Sequence, residues 1–243
     1  MTDLDTHYRR WNQDEIVTRF ADKTAADFFE CERRLLEPVA PDIADVIDIG
    51  CASGRFVEFL TKLGAPLRSF TGIDLSPASI SRARDTYPEH AFHCANALEF
   101  APGAKANLVN ATGVMQHEPR FAELVGRMIE WSSRYVMFDA KFAQIDDHLA
   151  DIDRARISCD PPLYFVLFAL DRFLDDLAAR TDIVHAKVYG YETPLNRNAV
   201  VPDEIGPVVS AGVLLTCGEP GPGGPRIECA LPASFGTGRG QNG

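Results

Sequence analysis

The chain has 243 residues, 46% of them apolar, and a formal net charge of −11. That length and apolar share suit one domain with a full core. The acidic balance speaks against recognition of nucleic acid by broad phosphate neutralisation, and no run approaches the roughly 20 apolar residues of a membrane-spanning helix. Cys31, Cys51, Cys94, Cys159, Cys217 and Cys229 are far apart and form no C-x-x-C pair. Neither a zinc site nor a disulfide framework is expected, and the thiols read as free cysteines of a reducing cytoplasm. The N-terminus carries no signal-peptide pattern, so the expected location is cytoplasmic, with neither a membrane nor a nucleic acid as partner.

Residues 1–40 read as helical, with Tyr8, Trp11, Phe20, Phe28, Phe29, Leu35 and Leu36 as their apolar members. Val46, Ile47 and Ile49 then form a short apolar run of the buried parallel-strand kind, which ends in Gly50. Gly54 follows, and Phe56, Val57, Phe59, Leu60 and Leu63 are spaced as the buried face of a helix. Strand, glycine turn and helix make the first unit of a doubly wound α/β sheet, in which ligands bind at the carboxyl ends of the strands. A dinucleotide site would want G-x-G-x-x-G, but Ala52 and Arg55 stand at the second and third glycine places. Asp48 is equally unhelpful to a phosphate and suits a cationic group. Residues 70–76 read as the next strand, ending in Asp74, whose carboxylate can accept from both hydroxyls of a ribose. Ser76 and Pro77 are an N-cap and first-turn proline that open a helix. Residues 91–94, 107–111 and 134–142 read as strands three to five, with a helix carrying Phe121, Leu124, Val125 and Met128 before the last of them.

The D-x-G-x-x-x-G pattern from Asp48 to Gly54, together with Asp74, resembles motif I and the ribose acid of the class I S-adenosylmethionine-dependent methyltransferases. The resemblance covers roughly residues 40–218. It implies a Rossmann-like, seven-stranded, mostly parallel sheet with helices on both faces, and S-adenosyl-L-methionine as cofactor. It further implies that Asp48, Gly50, Cys51, Ala52 and Gly54 hold the methionine end, and Asp74 and Leu75 the ribose. Asn96 and Ala97 stand where the family meets the adenine, and Thr112 and Gly113 form the loop after strand four. The family usually has Gly where Ala52 stands and Asp where Asn96 and Asn107 stand. Asn96 either contacts cofactor or caps its own turn. Tyr8 either folds over the cofactor or packs, with Trp11, onto the domain. His117, on the catalytic rim, is either the general base or a packing residue.

Gln116, Asp139, Lys141, Tyr191, Asn196 and Arg197 are the candidates for acceptor contact; Asp139 and Lys141 could instead pair with each other. The expected organisation is a helical cap over 1–40, the methyltransferase domain over 41–218 with a substrate-side insertion at 143–182, and a flexible Gly/Pro-rich tail over 219–243. Residues 164–177 read as a core-covering helix. Residues 183–191 and 211–217 read as strands six and seven. The resemblance implies methyl transfer to an O- or N-nucleophile of a small molecule. An NAD-dependent oxidoreductase and a non-catalytic binder of the cofactor are the alternatives. No metal is expected, and the sequence carries no statement about oligomeric state.

Overall fold

The computed structural model describes residues 3–11 and 28–235. Expectations for residues 12–27, Phe20 among them, and for residues 236–243 lie outside the described residues. Helices α1 (Asp3–Arg10) and α2 (Glu30–Leu36) precede β1 (Asp45–Ile49), α3 (Arg55–Lys62), β2 (Ser69–Asp74), α4 (Pro77–Thr86), β3 (Ala91–Cys94), β4 (Ala106–Ala111), α5 (Phe121–Trp131) and β5 (Ser132–Ala143). Three two-residue strands follow, β6 (Arg156–Ile157), β7 (Leu163–Tyr164) and β8 (Phe168–Ala169), then α6 (Leu170–Ala178), β9 (Ile183–Tyr191), β10 (Ala199–Val200), β11 (Val208–Cys217) and β12 (Arg226–Ala230).

The main sheet has the order β12-β9-β11-β5-β4-β1-β2-β3, with β8 paired to β5. Strands β1 to β5 are mutually parallel, and β11 runs antiparallel between β5 and β9. The chain order reverses between β1 and β4, and the crevice that opens there at the carboxyl ends is where such sheets bind ligands. Both faces are covered, which is why the strands read as nearly continuous apolar runs. Val46, Leu108, Met137 and Leu214 pack toward Leu35, Phe56, Phe59 and Ile80, while Ile47, Val109, Val136 and Val213 face the opposite core with Leu124, Met128 and Phe173.

The sheet has nine strands rather than the expected seven. One addition is β8: the stretch read as a single helix from Tyr164 begins with the end of one short strand, Leu163–Tyr164, and a second, Phe168–Ala169, and is helical only from Leu170. The other is β12, inside the segment expected to be a flexible tail, which pairs in parallel with β9 from Arg226 opposite His185 to Ala230 opposite Tyr189. Ile227 and Cys229 alternate onto the core there. The glycines and prolines of 218–225 make the loop that carries the chain across to this edge. Within the insertion, β6, β7 and the distant β10 form a separate three-stranded sheet. Among the described residues no helix is long and apolar enough to cross a membrane, and no group of three His, Cys, Asp or Glu side chains is placed to hold a metal ion.

A chain ended at Gly218 loses β12 and the bond from Gln144 Nε2 to the Phe235 carbonyl. Its melting temperature is expected to fall by several degrees, since each kcal/mol is worth about 2–4 °C in a domain of this size. An unchanged melting curve would show that the strand contributes nothing.

Candidate active site

The turn after β1 is tied to the tip of β2. The amides of Gly50 and Cys51 both donate to the Ile73 carbonyl, at 2.8 and 3.2 Å. The Ala52 amide donates to Asp74 Oδ2 at 2.9 Å, and the Ser76 amide to Asp74 Oδ1 at 2.8 Å. Gly50 has φ +70°, and a Cβ there would lie 2.6 Å from a Val114 methyl, so only glycine fits. Ala52 has φ +46°, a left-handed conformation that costs an L-residue about 1–2 kcal/mol. The family's usual glycine would take that conformation without strain. Ser76 caps α4 by accepting from the Ser79 amide, and Pro77 is the helix's first residue, as read from the sequence.

A cleft opens over these tips. Of the residues singled out in the sequence, Gly50, Ala52, Asp74, Leu75, Asn96, Ala97, Thr112, Gly113, Tyr8 and His117 line it together. Asn96 also caps its own turn, its Oδ1 accepting from the Leu98 amide at 3.0 Å. The lining also includes His7 beside Tyr8, and two residues that sequence reasoning missed, Arg55 and Glu118. Glu118 precedes α5, which starts only at Phe121, and lies buried against the cleft. Arg55 carried a signal: a cation in the first turn of a helix opposes the macrodipole and asks for a reason.

Helix α1 roofs the cleft. The Tyr8 hydroxyl lies 3.1 Å from both Glu118 oxygens, and Arg120 Nη2 donates to that hydroxyl at 3.1 Å. Burial, then the Glu118 charge, pushes the Tyr8 phenol up to about 12, so it keeps its proton and donates. The Trp11 and His117 rings are 5.3 Å apart. His117 Nδ1 lies 2.8 Å from the Tyr164 carbonyl oxygen. A carbonyl only accepts, so Nδ1 carries the hydrogen, and in the neutral ring the lone pair is on Nε2. The insertion thus sets the tautomer of a cleft histidine. Beside it, the Val166 amide donates to the Gln116 carbonyl at 2.8 Å.

Beneath the cleft the face of the sheet that packs on α2 and α3 turns polar. One rung beyond Val46, Leu108 and Met137, the same face presents Asp48, Asn110 and Asp139, and Glu32 of α2 is buried with them. Asn110 Nδ2 donates to Asp48 Oδ1 at 2.8 Å, and Thr112 Oγ1 donates to Asn110 Oδ1 at 2.6 Å, so a cleft residue is linked to Asp48. Asp139 accepts from the Gly113 amide. Burial raises Asp48 to about 7, against the Asn110 bond and the Arg55 charge, which lower it. Burial also raises Asp139 and lowers Lys141, each partly offset by the other's charge. Lys141 bonds to Ser210, and Tyr191 packs where Cys31 and Asp139 act on its phenol. Asp48, Cys51, Gly54, Gln116, Asp139, Lys141 and Tyr191 therefore surround the cleft wall without lining it. Gly54 caps α3 against Tyr87 and Phe92. Asn196 and Arg197 lie outside the cleft in an exposed loop.

Residues 46–134 match a protein-family model described as a methyltransferase domain. Curated relatives include the trans-aconitate 2-methyltransferase of an Enterobacter species, 34% identical over 88 residues that make up 36% of this chain and 34% of that protein. The enzyme of the same name from Methylobacterium radiotolerans is 34% identical over 119 residues, 49% of this chain and 44% of that one. The chain spans less than half the length of the curated relatives it matches. Among solved structures, the N-methyltransferase NodS from Bradyrhizobium japonicum, in complex with S-adenosylhomocysteine, superposes with a TM-score of 0.53 at 14% identity, over 88% of this chain and 98% of that one. The two share a fold.

The buried Asp48 carries a testable consequence. Its folded-state pKa of about 7 lies above the ordinary 3.8, so between those values the folded chain holds a proton that the unfolded chain has lost. Its contribution to stability therefore falls as pH rises from about 4 to about 7 and stays unfavourable above that. Asp48→Asn keeps an acceptor for Asn110 and removes the charge. The variant is expected to melt several degrees above wild type at pH 8, with the gap closing toward pH 4. A gap independent of pH would show that Asp48 does not titrate in this range.

Proposed function

We propose that the chain, whose residues 46–134 match a methyltransferase-domain model, is an S-adenosylmethionine-dependent methyltransferase of class I that transfers the methyl group to an O- or N-nucleophile of a small molecule. The observation that carries this reading is the joining of the Gly50 turn and the Asp74 carboxylate at one cleft, through the Ala52 amide. Asp48, buried beneath that turn, disfavours a dinucleotide's pyrophosphate above it and favours a cationic amino-acid end.

The donors and acceptors present fit the cofactor. Asp74 uses one lone pair of each oxygen on the Ala52 and Ser76 amides and keeps others for a ribose diol. Asn96, Ala97 and Leu98 form the wall for the adenine. Gly50, Ala52 and Gly113 let backbone approach the methionine end, and the buried carboxyl groups of Asp48 and Asp139 lie beneath. Bound there, S-adenosylmethionine supplies a methyl group already activated on a sulfonium. What remains for the protein is to exclude water, hold the acceptor in line and remove any proton it must lose. Tyr8, latched to Glu118 and Arg120, roofs the cleft. His117, its Nδ1–H directed to Tyr164, takes the acceptor's proton on Nε2. The curated relatives' named acceptor, trans-aconitate, is a small molecule, and the acidic net charge of this chain agrees with that class.

Two expected outcomes test the reading. Asp74→Ala should weaken S-adenosylhomocysteine binding by about 10- to 100-fold in titration calorimetry, the worth of one or two hydrogen bonds to a charged group. Wild-type affinity in that variant would remove Asp74 from the site. His117→Ala should leave that affinity within about twofold and slow transfer of radiolabelled methyl by roughly 10²–10⁴, the usual contribution of a positioned base. Full turnover with an acceptor hydroxyl or amine would assign His117 to packing alone.

A further inference from the structure

One charged side chain in the cleft has no role in the account above. Arg55 opens α3 and lines the same cleft as Gly50 and Gly113. The first turn of a helix is the electrostatically wrong place for a cation. The guanidinium is held over the Phe28 ring, 4.3 Å from its centroid. Glu32, Asp48 and Asp139 are all near enough to feel its charge. Yet among the described residues none of them forms an ion pair or hydrogen bond with it. Its Nη1 is buried and without a hydrogen-bond partner among those residues, and so is Glu32 Oε1 in the same layer. A buried, unmade N–H on a charged fork is costly to keep, and native structures keep few.

From this geometry, and resting on the methyl-transfer reading, we propose that Arg55 is the carboxylate-binding residue of the cleft, its free guanidinium edge gripping a terminal carboxylate of the bound ligand. A planar fork that presents parallel N–H donors matches a carboxylate in a way that a lysine does not. Two ligands of the proposed reaction can bring such a group: the cofactor, on its methionine end, and an acceptor that is itself a carboxylic acid. Arg55→Gln and Arg55→Lys separate them.

The probes are S-adenosylhomocysteine, 5′-methylthioadenosine, which keeps the nucleoside and lacks the amino acid, and trans-aconitate added to protein saturated with S-adenosylhomocysteine. Each is titrated calorimetrically into the full chain. If the cofactor's carboxylate is the partner, Arg55→Gln loses at least tenfold for S-adenosylhomocysteine and nothing for methylthioadenosine. If the acceptor's is, both nucleosides bind as to wild type and trans-aconitate loses at least tenfold. In either case Arg55→Lys recovers only part of the loss, because it restores charge without the fork. Two results would overturn the assignment: no loss for either carboxylate ligand, or an equal loss for methylthioadenosine, which would make Arg55 a support for the loop. Wild-type protein that binds neither nucleoside would overturn the methyl-transfer reading, and the assignment with it.

Discussion

The bond from the Ala52 amide to the Asp74 carboxylate, 2.9 Å long, is the contact on which the rest of the cleft depends. It belongs to a set: the Ile73 carbonyl accepts from the two preceding amides, and the other Asp74 oxygen accepts from Ser76. Together these bonds fasten the turn after one parallel strand to the tip of its neighbour. They satisfy a carboxylate that burial would otherwise leave protonated, and they aim the turn's backbone at open space rather than at side chains. The local conformations follow from that constraint. Gly50 has no room for a Cβ, and Ala52 is held left-handed although it is not glycine. Strain of this kind persists where surrounding bonds over-determine it, which is typical of binding sites.

Below this turn the fold trades stability for charge. A row of the sheet that could have continued as Val, Leu and Met carries Asp48, Asn110 and Asp139 instead, with Glu32 packed over it. Burying so many carboxylates is unfavourable, and their raised pKa values record the cost. Hydrogen bonds from Asn110 and Gly113 offset part of it. Carboxyl groups perturbed in this way and set directly behind a cleft wall mark functional sites more often than structural ones.

The third ingredient is long-range. The roof comes from the N-terminal helix, latched through Tyr8 to Glu118 and Arg120, 110 and 112 positions away. The tautomer of His117 is set by a backbone carbonyl of the insertion, 47 positions on. The short strands β6 and β7 pair Arg156 with Tyr164 and thereby hold Tyr164 where its carbonyl can orient a cleft side chain. The parts that vary around a doubly wound sheet thus bear directly on the geometry of its mouth.

Some of this was legible in the order of residues. The apolar run ending in Gly50, the acid at Asp74 and the Ser76-Pro77 helix start are local patterns with local causes, namely steric limits at a turn, a strand tip and a cap. Gly50, Asp74 and Ser76 meet at one cleft because parallel strands must deliver their carboxyl ends to one edge. Strand β12 was not legible, because glycine and proline composition reports the ease of disorder and not the presence of an unpaired edge nearby. Nor was the placement of Asp139, Lys141 and Tyr191 behind the cleft wall, which depends on the register of β5, β9 and β11. The tie between Tyr8 and Glu118 and the Tyr164 carbonyl at His117 are likewise contacts between distant segments. The sequence by itself determined the turn and the strand-tip acid that line the cleft, since both follow from local patterns at strand ends. Only the tertiary structure decided which charges are buried, which are paired and which are left facing the cleft, because burial and pairing are properties of what packs around a residue and not of the residue itself.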